Sequence, residues 1–158
     1  MKFYFTVEEN SLEEQEIKKC SEILSRLNYK NYYLGKYKNR EYVNIVFEIE
    51  NIDLEDKAQI EDIKKNIKNN SNVIQASSYM KFYYKIEKTY LLKEINKKVK
   101  ELLTEREYIF KCYNSHSSNG IIYVGLNVLN INPLNQNELK GFMNIVEKIE
   151  GVNQVIVY

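Results

Sequence analysis

The chain has 158 residues, of which 23 are lysine or arginine, 22 are aspartate or glutamate, one is histidine and 14 are tyrosine. A formal net charge of +1 argues against a protein that attracts nucleic acid or an anionic membrane through its overall field. The two cysteines lack metal-binding spacing and no apolar run is long enough to span a membrane. We therefore expect a cytoplasmic protein with no cofactor, no metal and no membrane partner.

The first half of the chain predicts the element order βαββαβ. Phe3, Phe5 and Val7 alternate with polar residues, which is typical of a strand with one buried face. A helix capped by Asn10 or Ser11 follows, with an apolar stripe that begins at Leu12, and runs to about Leu27. The remaining predicted elements are a hairpin of residues 29–37 and 42–50 across Lys38-Asn39-Arg40, a helix after Asp53 with Ile60, Ile63 and Ile67 inward, and a strand at 73–77.

The second half predicts the same order. It contains a strand at 81–87, a helix with an apolar stripe from Leu92 to Leu103, and a hairpin of residues 108–113 and 121–130. A helix after Pro133 and a strand at 152–158 complete it. In this interpretation, residues 114–120 form a polar hairpin loop that ends in Asn119-Gly120.

The two halves are similar in sequence as well as in pattern. Residues 80–158 align with residues 1–79 without a gap, and 16 of the 79 aligned positions hold the same residue. Met1-Lys2-Phe3-Tyr4 returns as Met80-Lys81-Phe82-Tyr83, and Val73-x-Gln75-x-x-x-Tyr79 as Val152-x-Gln154-x-x-x-Tyr158. We predict a tandem duplication with one domain at 1–79 and a second at 80–158.

This repeated element order resembles the ferredoxin-like split βαβ sandwich, in which two helices cover one face of a four-stranded antiparallel sheet. The resemblance implies an α+β protein made of two tandem ferredoxin-like βαββαβ sandwiches. Because Met80 follows Tyr79 with no linker, we expect the two copies to form an internal pseudo-dimer.

Four tyrosines are the candidate binding residues. Alternation places Tyr4, Tyr42, Tyr83 and Tyr123 on the outward faces of the predicted central strands. Arg40-Glu41-Tyr42-Val43-Asn44 and Asn119-Gly120-Ile121-Ile122-Tyr123 resemble part of the RNA-recognition-motif signature. That resemblance implies RNA bases stacked on these rings.

A further resemblance is to the ACT domain. Ile145-Val146-x-x-Ile149-x-Gly151-Val152, and Ile63-x-x-x-Ile67 with Val73, look like its last helix and strand. The ACT resemblance implies a regulator that responds to a small molecule, typically an amino acid bound between paired units.

We predict no catalytic residues. His116 is the single histidine and lies in the predicted loop 114–120, where we expect a solvated tip. Glu8 and Glu87 occupy equivalent strand ends, where CRISPR spacer-acquisition nucleases of this fold carry a metal-binding aspartate, so metal-dependent nuclease chemistry is a minor alternative.

The leading functional hypothesis is a non-catalytic protein-binding or regulatory protein, of the inhibitor, immunity or regulatory-subunit type. It rests on the neutral charge, the lack of a clustered catalytic set in the sequence, and the many tyrosines, a residue type enriched in interface cores. The alternatives are an ACT-like ligand-responsive regulator and an RNA binder.

Overall fold

Each half of the chain folds around its own antiparallel sheet. The computed structural model describes residues 1–9, 12–87 and 92–157, with the backbone alone at Asn39 and Asn114. These residues form an α+β structure with two antiparallel sheets and four helices. The chain divides into two compact units, Met1–Tyr79 and Met80–Tyr158.

The first unit contains four strands and two helices. Its sheet has the strand order β2-β3-β1-β4, so the two central strands are not consecutive in the chain. Phe3, Phe5 and Phe47 are fully buried and pack with Leu24 and Ile63 from the helices. The elements are β1 (Lys2–Glu8), α1 (Glu13–Arg26), β2 (Asn31–Asn39), β3 (Tyr42–Ile49), α2 (Lys57–Asn70) and β4 (Gln75–Ser77).

The second unit repeats this arrangement, with the strand order β6-β7-β5-β8. Phe82 meets Phe142 at a ring-centroid distance of 4.6 Å, and the Tyr84 hydroxyl donates to Asn96 Oδ1 at 2.6 Å. The elements are β5 (Tyr79–Glu87), α3 (Leu92–Glu105), β6 (Phe110–Ser118), β7 (Ile121–Leu129), α4 (Gln136–Glu147) and β8 (Val152–Val157). Both units therefore fit a duplicated βαββαβ arrangement.

Left-handed residues recur at equivalent positions of the two units. Among the described residues, six that are not glycine have positive φ, and they form three pairs separated by 79 positions: Asn28 with Glu107, Arg40 with Asn119, and Asn51 with Asn130. This conformation is rare outside glycine. The repeat therefore extends from the sequence to the details of the backbone.

Helices α1 and α3 end in the same hydrogen-bonded motif. The Tyr29 amide donates to the Leu24 carbonyl at 2.9 Å, and the Tyr108 amide donates to the Leu103 carbonyl at 3.0 Å. The residue before each tyrosine is left-handed, which defines a Schellman C-cap.

Two predictions from sequence are wrong. Residues 114–118 belong to β6 and not to a loop, because the two-residue turn Asn119-Gly120, with φ of 48° and 84°, closes the hairpin directly. Leu12 precedes α1 and is 67% exposed, so it does not contribute to the apolar stripe. The predicted caps Asn10 and Ser11 and the strand end Tyr158 lie outside the described residues.

Strand β4 starts at Gln75, two residues later than predicted. Val73 precedes the strand and packs in the core. The four helices are also short and amphipathic. Along the described ranges, no helix combines the length and apolar character needed to cross a membrane.

Candidate functional site

Aromatic side chains gather on the outer face of the second sheet. Along β5, the side chains of Phe82 and Tyr84 face the helices: Phe82 contacts Phe142 on α4, and Tyr84 donates a hydrogen bond to Asn96 on α3. The alternating residues Tyr83 and Lys85 therefore project from the opposite face. The aromatic surface of this face consists of Tyr83 on β5, Tyr113 and His116 on β6, and Tyr123 on β7.

The four rings of the aromatic surface contact one another. His116 is stacked on Tyr123, with the ring centroids 5.0 Å apart and the planes at 8°. Tyr83 meets His116 edge-on at 6.0 Å and Tyr113 edge-on at 5.9 Å. Such geometries are favourable between aromatic rings. The surface is therefore assembled before any partner binds.

The hairpin register brings His116 to Tyr123. The turn at Asn119-Gly120 pairs Ser118 with Ile121, and counting back along the strands pairs His116 with Tyr123. A register shift between Tyr113 and Ser115 then changes the alternation on β6. Because of this bulge, Tyr113 and His116 share one face although they are three residues apart.

Gly125 makes room for the Tyr113 ring. Tyr113 pairs with Gly125 across the hairpin, and a Cβ atom placed on Gly125 would lie 2.4 Å from two atoms of that ring. A contact this short requires the ring to move. Because Gly125 has no side chain, the Tyr113 ring can lie across β7 at this position.

A lysine borders the aromatic surface. Lys85 Nζ lies 5.7 Å from the centroid of the Tyr123 ring, within the range of a cation–π contact, and donates to Gln154 Oε1 at 2.6 Å. Lys111 lies on the same face, opposite Asn127. Within the described ranges, neither Lys85 nor Lys111 forms an ion pair with a carboxylate.

The equivalent face of the first sheet is different. Tyr4, Asn44 and Val46 correspond to Tyr83, Tyr123 and Gly125, and they are only 3%, 8% and 0% exposed. Thr6 Oγ1 donates to Asn44 Oδ1 at 2.7 Å. This face is therefore largely buried.

Tyr37 is the first unit's counterpart of His116. Burial raises the pKa of the Tyr37 phenol to about 12. The same position is thus half-buried in one unit, whereas His116 is exposed in the other.

The structure brings together two of the four predicted binding residues. Tyr83 and Tyr123 both contact His116, and so belong to one surface. Tyr4 pairs with Val46 on β3, four residues from Tyr42, so these two tyrosines are separated along the strand. Tyr42 is 42% exposed.

Sequence reasoning missed Tyr113 and His116. The polar composition of residues 114–118 suggested a loop, whereas the Asn-Gly turn was the signal that could have placed His116 opposite Tyr123. The position of Tyr113 depends on the bulge and on Gly125, and no comparable signal in the chain marks either of them.

The acidic and thiol groups of the described residues are possible metal ligands by their chemistry. Among the residues that the structure describes, no group of three or more His, Cys, Asp or Glu side chains could hold a metal ion. Glu8 is exposed, and Glu87 accepts a hydrogen bond from Asn153 Nδ2 at 2.9 Å. Burial, with the nearby Glu16 carboxylate, raises the pKa of the Cys20 thiol to about 12.

Comparison with known proteins finds a weak structural likeness. No protein-family model and no curated protein matches the chain. The crystal structure of protein BT0572 from Bacteroides thetaiotaomicron is similar over 99% of this chain and 90% of that chain, with 13% sequence identity and a TM-score of 0.34.

Proposed function

We propose that the chain is a non-catalytic, protein-binding regulatory protein, and that it contacts its partner through the aromatic surface of the second sheet. The observation that carries the proposal is the contact of His116 with both Tyr83 and Tyr123 on an outer sheet face. Tyrosine-rich patches supply large, rigid contact areas in protein interfaces.

The proposed scaffold is a pair of tandem ferredoxin-like sandwiches, residues 1–79 and 80–158. The strand orders β2-β3-β1-β4 and β6-β7-β5-β8 support this assignment, because they are those of the split βαβ motif. The three pairs of left-handed residues support a duplication. The direct junction of Tyr79 and Met80 is the reason for proposing an internal pseudo-dimer.

Packing within the aromatic surface favours a protein partner. The His116 and Tyr123 rings already stack on each other, and Lys85 lies near the Tyr123 ring. Nucleic-acid bases need open ring faces on which to stack. A preassembled patch instead suits apolar and aromatic side chains of another protein.

RNA binding is the second candidate function. The contact between Lys85 Nζ and the Tyr123 ring favours it, since single-strand binders combine cations with aromatic platforms. Against it stand the net charge of +1 and the presence of only three arginines, Arg26, Arg40 and Arg106.

Affinity purification with matched variants tests the proposal. A tagged chain is expressed in the cells that produce it naturally, beside His116→Ala and Lys98→Ala. Both positions are exposed, but Lys98 lies on α3, on the helical side of the second unit.

The wild-type chain and Lys98→Ala are expected to retain one stoichiometric partner protein, which His116→Ala loses while its circular dichroism spectrum is unchanged. Retention of that protein by His116→Ala would contradict the proposal, as would the recovery of nuclease-sensitive nucleic acid in its place.

A further inference from the structure

The outer face of the second sheet carries an excess of positive charge. Alternation along β5 places Lys81 and Lys85 on this face, and the pairing of Lys111 with Asn127 adds a third lysine from β6. The carboxylate on the same face is Glu87, at the end of β5, where Asn153 donates to it. The aromatic surface itself contains no carboxylate, and Lys85 lies beside its Tyr123 ring.

The equivalent face of the first sheet lacks this charge pattern. Thr6 stands where the second unit has Lys85, and Tyr32 where it has Lys111. Glu48 on β3 corresponds to the neutral Asn127 on β7. Cations and the aromatic surface, in which His116 is exposed and the three tyrosines are half-buried, therefore coincide in one copy of the repeat.

We infer that the partner of this face is an acidic protein segment that also carries aromatic side chains. The inference rests on the proposed function and specifies the chemistry of the partner. The carboxylates of such a segment would pair with Lys85 and Lys111, which have no carboxylate partner within the described ranges. Its aromatic rings would pack on Tyr83, His116 and Tyr123.

Charge complementarity also decides against other protein partners. A basic partner would place like charges opposite Lys85 and Lys111. A second copy of this same face would do so as well. An acidic segment is the partner that both the lysines and the rings favour.

A synthetic polymer that carries both carboxylates and rings can stand in for the acidic segment. The probe is a fluorescent, glutamate-rich random copolymer of glutamate and tyrosine, titrated with the full-length protein at low and at physiological salt. The comparison probes are polyglutamate, a copolymer of lysine and tyrosine, and a short oligouridylate. The variants are Lys85→Glu/Lys111→Glu and the matched charge reversal Lys98→Glu on α3.

The wild-type protein is expected to bind the glutamate–tyrosine copolymer at least about tenfold more tightly than the lysine–tyrosine copolymer. Polyglutamate should bind about threefold more weakly than the mixed copolymer, because it lacks rings. The double variant should lose about tenfold in affinity and Lys98→Glu less than about twofold.

Three results would overturn the inference. They are a failure of the copolymer to bind, an equal loss of affinity in Lys98→Glu, and tighter binding of oligouridylate that depends on Lys85 and Lys111. If the copolymer fails while His116→Ala still loses its cellular partner, the acidic chemistry alone is wrong. If both experiments fail, the protein-binding function is wrong as well.

Discussion

At the scale of single residues, a buried carboxylate connects two distant parts of the first unit. Glu16 on α1 is only 4% exposed, and it accepts hydrogen bonds from the Asn72 amide at 2.9 Å and from Asn72 Nδ2 at 2.7 Å. Asn72 lies between α2 and β4. Ile95 occupies the equivalent position in the second unit, where its apolar side chain is part of the buried core.

Replacement of Glu16 by alanine is expected to lower the free energy of unfolding by about 2–3 kcal/mol, because it removes both acceptors of the Asn72 hydrogen bonds. Urea denaturation measures the effect. Glu14→Ala, at an exposed position of the same helix, is the control and should change stability by less than about 0.5 kcal/mol. Equal losses of stability in Glu16→Ala and Glu14→Ala would contradict a stabilising role for the Glu16–Asn72 hydrogen bonds.

Replacement of Gly125 by alanine should displace the Tyr113 ring and disturb the aromatic surface. The added Cβ would lie 2.4 Å from the ring in its present position, and overpacking of this kind costs about 1–3 kcal/mol. Thermal unfolding measures the loss, and the chemical shifts of the Tyr83 ring protons report the loss of its contact with Tyr113. Gly141→Ala is the control, since no atom lies within 4 Å of the Cβ position there. Unchanged Tyr83 shifts in Gly125→Ala would contradict the role given to this glycine.

At the scale of elements, periodicity was sufficient to predict most of the fold. Each predicted helix and strand corresponds to an observed element, because buried residues recur with the helical or strand period along the chain. The length of β6 is the exception. Its polar strand residues resemble a loop in composition, and pairing across the Asn-Gly turn outweighs that local preference.

The matched helix ends provide a test within one molecule. Asn28 and Glu107 occupy the same left-handed position, with φ of 63° and 58°. Asparagine tolerates this conformation better than glutamate, and glycine adopts it without a Cβ penalty. Glu107→Gly is therefore expected to stabilise the protein by about 0.5–1 kcal/mol, and Asn28→Gly by less.

Chemical denaturation of the two glycine variants measures these differences. Glu105→Gly is the control, since it places glycine in the last turn of α3 and should be destabilising. A loss of stability in Glu107→Gly would contradict the C-cap assigned to α3.

At the scale of the whole molecule, several buried acids resist ionisation. Burial, followed by the Glu16 carboxylate, raises the pKa of Cys20 from its ordinary value of 9.0 to about 12, and burial raises the pKa of Tyr37 from 10.0 to about 12. The unfolded chain therefore loses these protons at lower pH than the folded chain does. The stabilisation that the protonated Cys20 and Tyr37 side chains give to the folded state is complete below about pH 9. It is lost as the pH rises toward 12.

Thermal unfolding across this range is expected to show a falling melting temperature between about pH 9 and pH 12. The double variant Cys20→Ala/Tyr37→Phe should have a flatter profile over the same interval, because it removes the two ionisable groups. A profile as steep as that of the wild type would contradict their contribution.

The candidate site was less predictable than the fold. Strand alternation is sufficient to predict that Tyr83 and Tyr123 lie on the outer face, since that prediction requires only the period of two along a strand. Their association with Tyr113 and His116 depends on a β-bulge, on a turn that fixes the register, and on the space left by Gly125. These features combine residues that are distant in sequence, so a pattern read along the chain does not reveal them.

Site-specific photocross-linking in living cells is the most direct test of the central claim that the aromatic surface binds a protein. A photoreactive phenylalanine derivative replaces His116 in one variant and Lys98 in the other, both at exposed positions. Position 116 is expected to yield one discrete protein adduct, which is resistant to nuclease and missing from position 98. A nucleic-acid adduct at position 116, or the same protein adducts from both positions, would contradict the claim.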